Sequence, residues 1–138
     1  MFDAGALDDL IDEETRATVV SVAHAKRVDL VVPATVLTEF LLGHPRDRAR
    51  ADRVLNVLEE MAVTPASARR AAWLLARAAR ARRQTPSVTD GTVAAFGEVY
   101  GAVATNDPDD LAALAAVGSG FDVYAVDELL AAMRREPR

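Results

Sequence analysis

"GAVATNDPDDLAALA", residues 101–115, runs from a glycine and a short apolar stretch through a polar junction into a segment rich in alanine and leucine. Residues 101–105 read as a β-strand bounded by glycine. Asp107, followed by Pro108, Asp109 and Asp110, has the form of a helix start. It offers an oxygen for the N-cap, a proline whose missing N–H costs nothing in the first turn, and negative charge at the positive end of the helix dipole. The stretch therefore predicts a strand that hands over directly to a helix. Its carboxylates also raise a chemical question, because the same groups could hold a metal ion.

Similar units recur along the chain. Short β-rich runs stand at 28–33 ("VDLVVP"), 61–65 ("MAVTP") and 121–126 ("FDVYAV"), each bounded by Pro, Gly or a polar cap and separated by helix-like sequence. "ATVLTEFLLG" at 34–43 reads as a helix ending at Gly43, and "DRARADRVLNVLEE" at 47–60 spaces Val54, Leu55 and Leu58 for one buried helical face. The longest helical pattern covers 66–83, with a loop "QTP" at 84–86 before a helix that begins behind Ser87. Alternation of this kind predicts an α/β fold, a three-layer α/β/α sandwich with a central parallel sheet, in one domain over residues 1–138. Ligands of such sheets gather beyond the carboxyl ends of the strands.

Composition narrows the chemistry. The 138 residues are 51% hydrophobic and 27% charged, as in an ordinary globular domain, and the net charge of −5 offers no overall basic field for nucleic acid. A polyanion would have to be held by a local patch or through a bound cation. Absence of cysteine removes disulfides, thiolate metal sites and Cys nucleophiles together. The opening "MFDAGALDD" lacks the basic region and apolar stretch of a secretory signal, and no apolar segment approaches the roughly 20 residues of a membrane span. The expectation is a cytoplasmic protein with no membrane association.

Four carboxylates stand out, three of them at junctions or helix starts and one inside a helix. Asp3 lies where a first strand would pass into a helix, and on local grounds it is an N-cap. Asp90 follows Ser87 by three residues, the spacing of a capping box with Asp in place of Glu or Gln. Asp107 has the N-cap role already described. Glu39 lies among Thr35, Val36, Leu37, Phe40, Leu41 and Leu42, so it is either exposed at a rim or held by a ligand, since a buried charge needs a partner. A parallel sheet would bring Asp3, Asp90 and Asp107 to one edge, with Glu39 on a helix that follows another strand. Four hard oxygen donors suit Mg²⁺ or Mn²⁺ better than zinc or copper, and such a site points to phosphoryl or phosphodiester chemistry with water as the nucleophile.

Four motifs in order, "DAGAL" at 3–7, "VVPATVLTEFLLG" at 31–43, "SVTDGTVAA" at 87–95 and "VATNDPDDLAALA" at 103–115, give the chain a resemblance to PIN domains of the VapC type, the toxin half of bacterial type II toxin–antitoxin pairs. The resemblance runs over nearly the whole chain and rests on the ordered set, since each motif alone is short. It implies an Mg²⁺-dependent endoribonuclease whose catalytic, metal-holding residues are Asp3, Glu39, Asp90 and Asp107. Thr105 would be a supporting hydroxyl and Asp110 a further acidic position. It also implies an RNA substrate, a cognate antitoxin and a homodimer. Two departures stand out. Only Met1 and Phe2 precede Asp3, and Gly91 follows Asp90 where alanine is frequent, a substitution expected to loosen the first turn of that helix.

On a helical projection of 66–83, Arg69, Arg70, Arg77 and Arg80 share one arc with Trp73 among them. That face could contact RNA, meet another protein, or be a solvated surface on which arginine covers tryptophan. His44 is expected in a surface loop and His24 on a helix near solvent. Two other functions fit less well. One is a catalytically silent PIN-like binding protein. The other is a receiver-like phosphoacceptor domain, which would use "LDDL" at 7–10 and need a lysine on its last strand, whereas the single lysine is Lys26.

Overall fold

The computed structural model describes residues 1–81 and 86–135. In chain order the elements are α1 (Ala4–Asp9), α2 (Glu13–Lys26), β1 (Val31–Pro33), α3 (Ala34–Gly43), α4 (Arg48–Leu55), β2 (Glu59–Met61), α5 (Pro65–Ala81), α6 (Val88–Tyr100), β3 (Ala102–Ala104), α7 (Pro108–Val117), β4 (Asp122–Tyr124) and α8 (Val126–Arg135). The fold is mixed α/β, rich in helix. β1 pairs in parallel with β2 through Val31 opposite Glu59, and β3 pairs in parallel with β4 through Val103 opposite Val123.

The first residues stitch these pairs together. Phe2 donates its amide to the Val31 carbonyl at 3.0 Å, Ala104 donates to the Met1 carbonyl at 2.8 Å, and Asp3 donates to the Ala104 carbonyl at 3.1 Å. Phe2 and Ala104 form a parallel bridge. Asp3 thus leaves this hydrogen-bonded segment beside β3 and at once begins α1.

Each strand is three residues long, shorter than the apolar run that announced it. The reason is visible at the junctions: Pro33 ends β1 and is the N-cap of α3, and its ring leaves no N–H for further pairing. The run at 61–65 is displaced. The second strand is Glu59–Met61, its position set by the Glu59 amide on the Leu30 carbonyl at 2.8 Å, while Ala62 and Val63 are exposed. With β1 as its one partner strand, β2 tolerates two exposed glutamates that a central strand would not. The helix expected over 47–60 ends at Leu55. Val54 is fully buried, but Leu58 lies in the turn beyond and shares no helical face with it.

The helix expected from residue 66 begins at Pro65 and is described to Ala81, so its last two expected residues, and 84–85 of the expected loop, lie outside the described residues. Ala71, Leu74 and Ala78 of α5 are buried as the projection requires. They pack on α6, in which residues 91–97 are all buried. A Cβ on Gly91 would lie 2.7 Å from both Cγ and Cδ1 of Leu75. The glycine therefore permits close approach of α5 and α6, and the loosened turn expected from it gives way to a packing role. Phe2, Leu7, Leu10, Phe40, Leu74, Leu111 and Leu114 are fully buried in one core cluster, each worth about 1.5–3 kcal/mol relative to exposure. Among the described residues no helix is long and apolar enough to cross a membrane.

Candidate functional site

Asp3 is held at the end of the stitching segment. Its Oδ1 accepts a hydrogen bond from the Ala6 amide at 2.8 Å, so it does cap α1. The cap does not account for its electrostatics. Burial raises the Asp3 pKa, and the carboxylates of Asp90 and Glu39 push it the same way, against the Thr105 hydroxyl and the Ala6 amide, which lower it. Asp90 and Glu39, on different helices, are therefore close enough to Asp3 to add like-charge repulsion to the larger effect of burial.

Asp90 belongs to a complete capping box: its Oδ2 accepts from the Ser87 amide at 2.8 Å, and the Ser87 hydroxyl accepts from the Asp90 amide at 3.0 Å. Glu39 is exposed on α3, at a rim position. It lines a cleft of about 410 Å³ with Gly5, Asp8, Phe40 and His44. One turn earlier on α3, on the same side, is Thr35. Its hydroxyl oxygen is buried and has no hydrogen-bond partner among the described residues.

Asp107 occupies the N-cap position of α7, but its side chain makes no capping bond. Thr105 serves this junction instead: its hydroxyl accepts from the Asp107 amide at 2.9 Å and lies 3.2 Å from the Asp107 carbonyl oxygen. Thr105 itself is buried. Next to it, Asn106 donates from Nδ2 to the Gly5 carbonyl at 2.8 Å, tying the junction to α1. Asp110 is half-buried in the first turn of α7. Of the expected residues, Glu39 and Asp90 act on Asp3 through their charge and Thr105 through its hydroxyl, whereas the Asp107 carboxylate is not among the groups that act on it.

Whether this set suits a divalent cation has two sides. Among the described residues no group of three or more His, Asp or Glu side chains converges closely enough to hold a metal ion as it stands. The donor chemistry nevertheless fits, with oxygens only, mutual repulsion for a cation to relieve, and no ion pair on Asp3, Glu39 or Asp90 among the described residues. The orphaned Thr35 hydroxyl would find a partner in the water shell that Mg²⁺ retains.

The basic face of α5 is largely spoken for. Trp73, 41% exposed, lies between the guanidiniums of Arg70 and Arg77, 4.2 and 4.8 Å from its ring centroid. Arg70 also grips Glu98 of α6 with two hydrogen bonds of 2.6 and 2.7 Å, and the Ser119 amide donates to the same carboxylate. A Cβ on Gly118 would lie 2.3 Å from Glu98 Oε1, so glycine makes the seat for that oxygen. Arg69 and Arg80 are exposed on this helix. Sequence reasoning missed Glu98, because a lone glutamate near a helix end carries no local signal of a partner 28 residues away.

His44 stands in the loop after α3 as expected, though half-buried, and His24 is exposed on α2 as anticipated. The His44 ring packs on Phe40 with centroids 4.8 Å apart, Nδ1 lies 3.1 Å from the Phe40 carbonyl oxygen, and Nε2 lies 3.5 Å from the Asp8 carboxylate. A cavity of about 400 Å³ lies elsewhere, beside Met1, Leu30, Tyr100, Asp122 and Leu129, and none of Asp3, Glu39, Asp90 and Asp107 lines it. Burial there lowers the pKa of the Met1 amine to about 6. Glu39 and Asp8 are the acidic residues that line the cleft, and Asp29 and Asp122 those that line the cavity. No family model matches the chain, and no curated protein matches it significantly.

Proposed function

We propose that this protein is a metal-dependent endoribonuclease with a PIN-like fold, the toxin of a type II toxin–antitoxin pair. In this reading the two strand pairs and the Met1–Asp3 segment form one central parallel sheet between helical layers, and the carboxyl edge of that sheet is the active site. The observation that carries the proposal is a half-buried Asp3 carboxylate, raised by burial and further by the like charges of Asp90 and Glu39, with no ion pair on any of the three among the described residues.

Asp3, Asp90, Glu39 and Asp107 would hold Mg²⁺ or Mn²⁺. The bound cation would supply a water of lowered pKa and stabilise charge on the phosphate. The chain's own residues prepare the site. Ala6 and Ser87 each occupy one oxygen of Asp3 and Asp90 through a backbone amide, and Thr105 also bonds Asp3, which fixes those carboxylates. Thr105 takes over the turn at Asp107 and frees that carboxylate from capping. Glu39, exposed on a long side chain, is the member with most freedom to swing in. A cognate antitoxin and a homodimer belong to the same proposal, with the Trp73 face of α5 as a protein interface.

The test is cleavage of unstructured RNA by purified protein with Mg²⁺ or Mn²⁺, with and without chelator. The expected result is cleavage that chelation abolishes and that Asp90→Asn and Asp107→Asn each remove. Undiminished cleavage by metal-free protein sinks the reading.

A further inference from the structure

We infer that the segment from His44 to Arg53 is the surface on which the backbone of single-stranded RNA lies as it enters the cleft at Glu39, an inference that rests on the nuclease reading above. Residues 44–53, "HPRDRARADR", carry four arginines against two aspartates in a chain whose net charge is −5. Arg46, Arg48, Arg50 and Arg53 are all exposed. The segment begins at the cleft itself, since His44 and Glu39 line the same space with Phe40 and Asp8. Arg46 follows two residues later, within about 7 Å of chain.

Two arginines of the segment pair within it, Arg48 with Asp52 at 3.4 Å and Arg50 with Asp47 at 3.3 Å, and every side chain of both pairs is about half exposed or more. Such wet pairs are weak and readily exchanged for phosphate oxygens. The centre of the basic face of α5 is less available, because Arg70 is locked to Glu98 and both Arg70 and Arg77 stack on Trp73, leaving Arg69 and Arg80 exposed on that helix. His44 has a fixed place at the boundary, set by the Phe40 ring and carbonyl and by Asp8. It marks where a strand would pass from the arginines to the carboxylates. An acidic cleft bordered by a basic arm suits a substrate whose phosphates are held by arginine outside and by a cation inside.

The experiment is fluorescence anisotropy of a labelled short oligouridylate titrated with full-length protein over a range of salt, in Ca²⁺ buffer, with intact RNA checked on a gel afterwards. Binding is read independently of cleavage, so failure of this inference and failure of the nuclease reading are separate outcomes. Wild-type affinity should fall linearly in log–log form with salt. Arg46→Ala and Arg48→Ala should each lower that slope by about 1 and weaken low-salt binding several-fold, whereas Arg69→Ala and Arg80→Ala on α5 should change neither. Matched thermal melts of the variants would exclude unfolding as the cause. Unchanged slopes in Arg46→Ala and Arg48→Ala overturn the inference. So does an oligoglutamate that competes as well as the RNA at equal charge, since the arm would then suit an acidic peptide.

Discussion

At Asp3 the fold brings two further carboxylates, Asp90 and Glu39, toward a half-buried acid with no base among them. At Glu98 it meets a single carboxylate with two nitrogens of Arg70, the Ser119 amide and a glycine seat. Both regions join helices that are distant in sequence. The Glu98 contact satisfies its charges and ties α5, α6 and the turn after α7 together. The Asp3 edge leaves repulsion in place, and a fold gains nothing from that unless a ligand relieves it. Stability accounts for the first region, and in the proposed reading a bound cation would relieve the second.

The largest difference between the regions should appear on neutralising an acid. Asp90→Asn is expected to reduce RNA cleavage by about a hundredfold or more and to abolish the rise in melting temperature that Mg²⁺ gives the wild type. The melting temperature of the apo protein should stay level or rise, because one repelling charge is gone. Asp107→Asn sharpens the point, since its side chain makes no capping bond to lose. Wild-type cleavage with an unchanged Mg²⁺ shift in both variants would reduce this edge to helix starts.

Removing a charge from the other region should act on stability alone. Arg70→Ala strands Glu98, whose side chain is 8% exposed, while Arg70 is 35% exposed. The expected cost is about 2 kcal/mol, below the roughly 3–5 kcal/mol of a fully enclosed pair because the arginine keeps water contact. In a chain of this size that lowers Tm by roughly 8 °C. Adding Glu98→Gln should recover part of the loss, and a double variant as unstable as Arg70→Ala would count against charge as the cause.

Acidity separates the regions by sign. The Asp3 carboxyl is raised above its ordinary 3.8, so the stabilising effect of its neutral form is full below that value and is lost as pH rises through the folded pKa. Arg70 holds Glu98 below its ordinary 4.5, so its contribution is full above that value and is lost as pH falls through the folded pKa. Melts of metal-free protein across the acid range should therefore lose one pH-dependent component in Asp3→Asn and the opposite one in Glu98→Gln. Equal profiles in wild type and Asp3→Asn would remove the claim of repulsion at the edge.

The smallest effect is expected at Trp73. Each stacked guanidinium is worth about 0.5–1 kcal/mol on an exposed ring, so Trp73→Ala should lower Tm by only a few degrees. If α5 carries the proposed protein interface, light scattering of Trp73→Ala with Arg77→Glu should read a monomer where the wild type reads a dimer. Unchanged assembly would leave the sandwich as local packing.

Much of this is legible in the sequence. Strand-to-helix handovers at Pro33, Thr105 and Phe2 are written in local chemistry, as are the capping box at Ser87 and the apolar face of α5, because caps, prolines and helical periodicity act over a few residues. Local signals could not fix how long the strands run or where the second begins. Pairing with β1 decides that, and it moved β2 to the exposed pair Glu59 and Glu60. Nor could they find the Glu98 seat, the place of His44 on Phe40, or the packing role of Gly91 against Leu75, each of which depends on a distant segment or on the turn of a helix. The four acids could be picked out one by one, three from their junctions or helix starts and Glu39 from its apolar helix. Only the tertiary structure decided that Asp3 feels Asp90 and Glu39, because Coulomb repulsion depends on distance through space and not on separation along the chain.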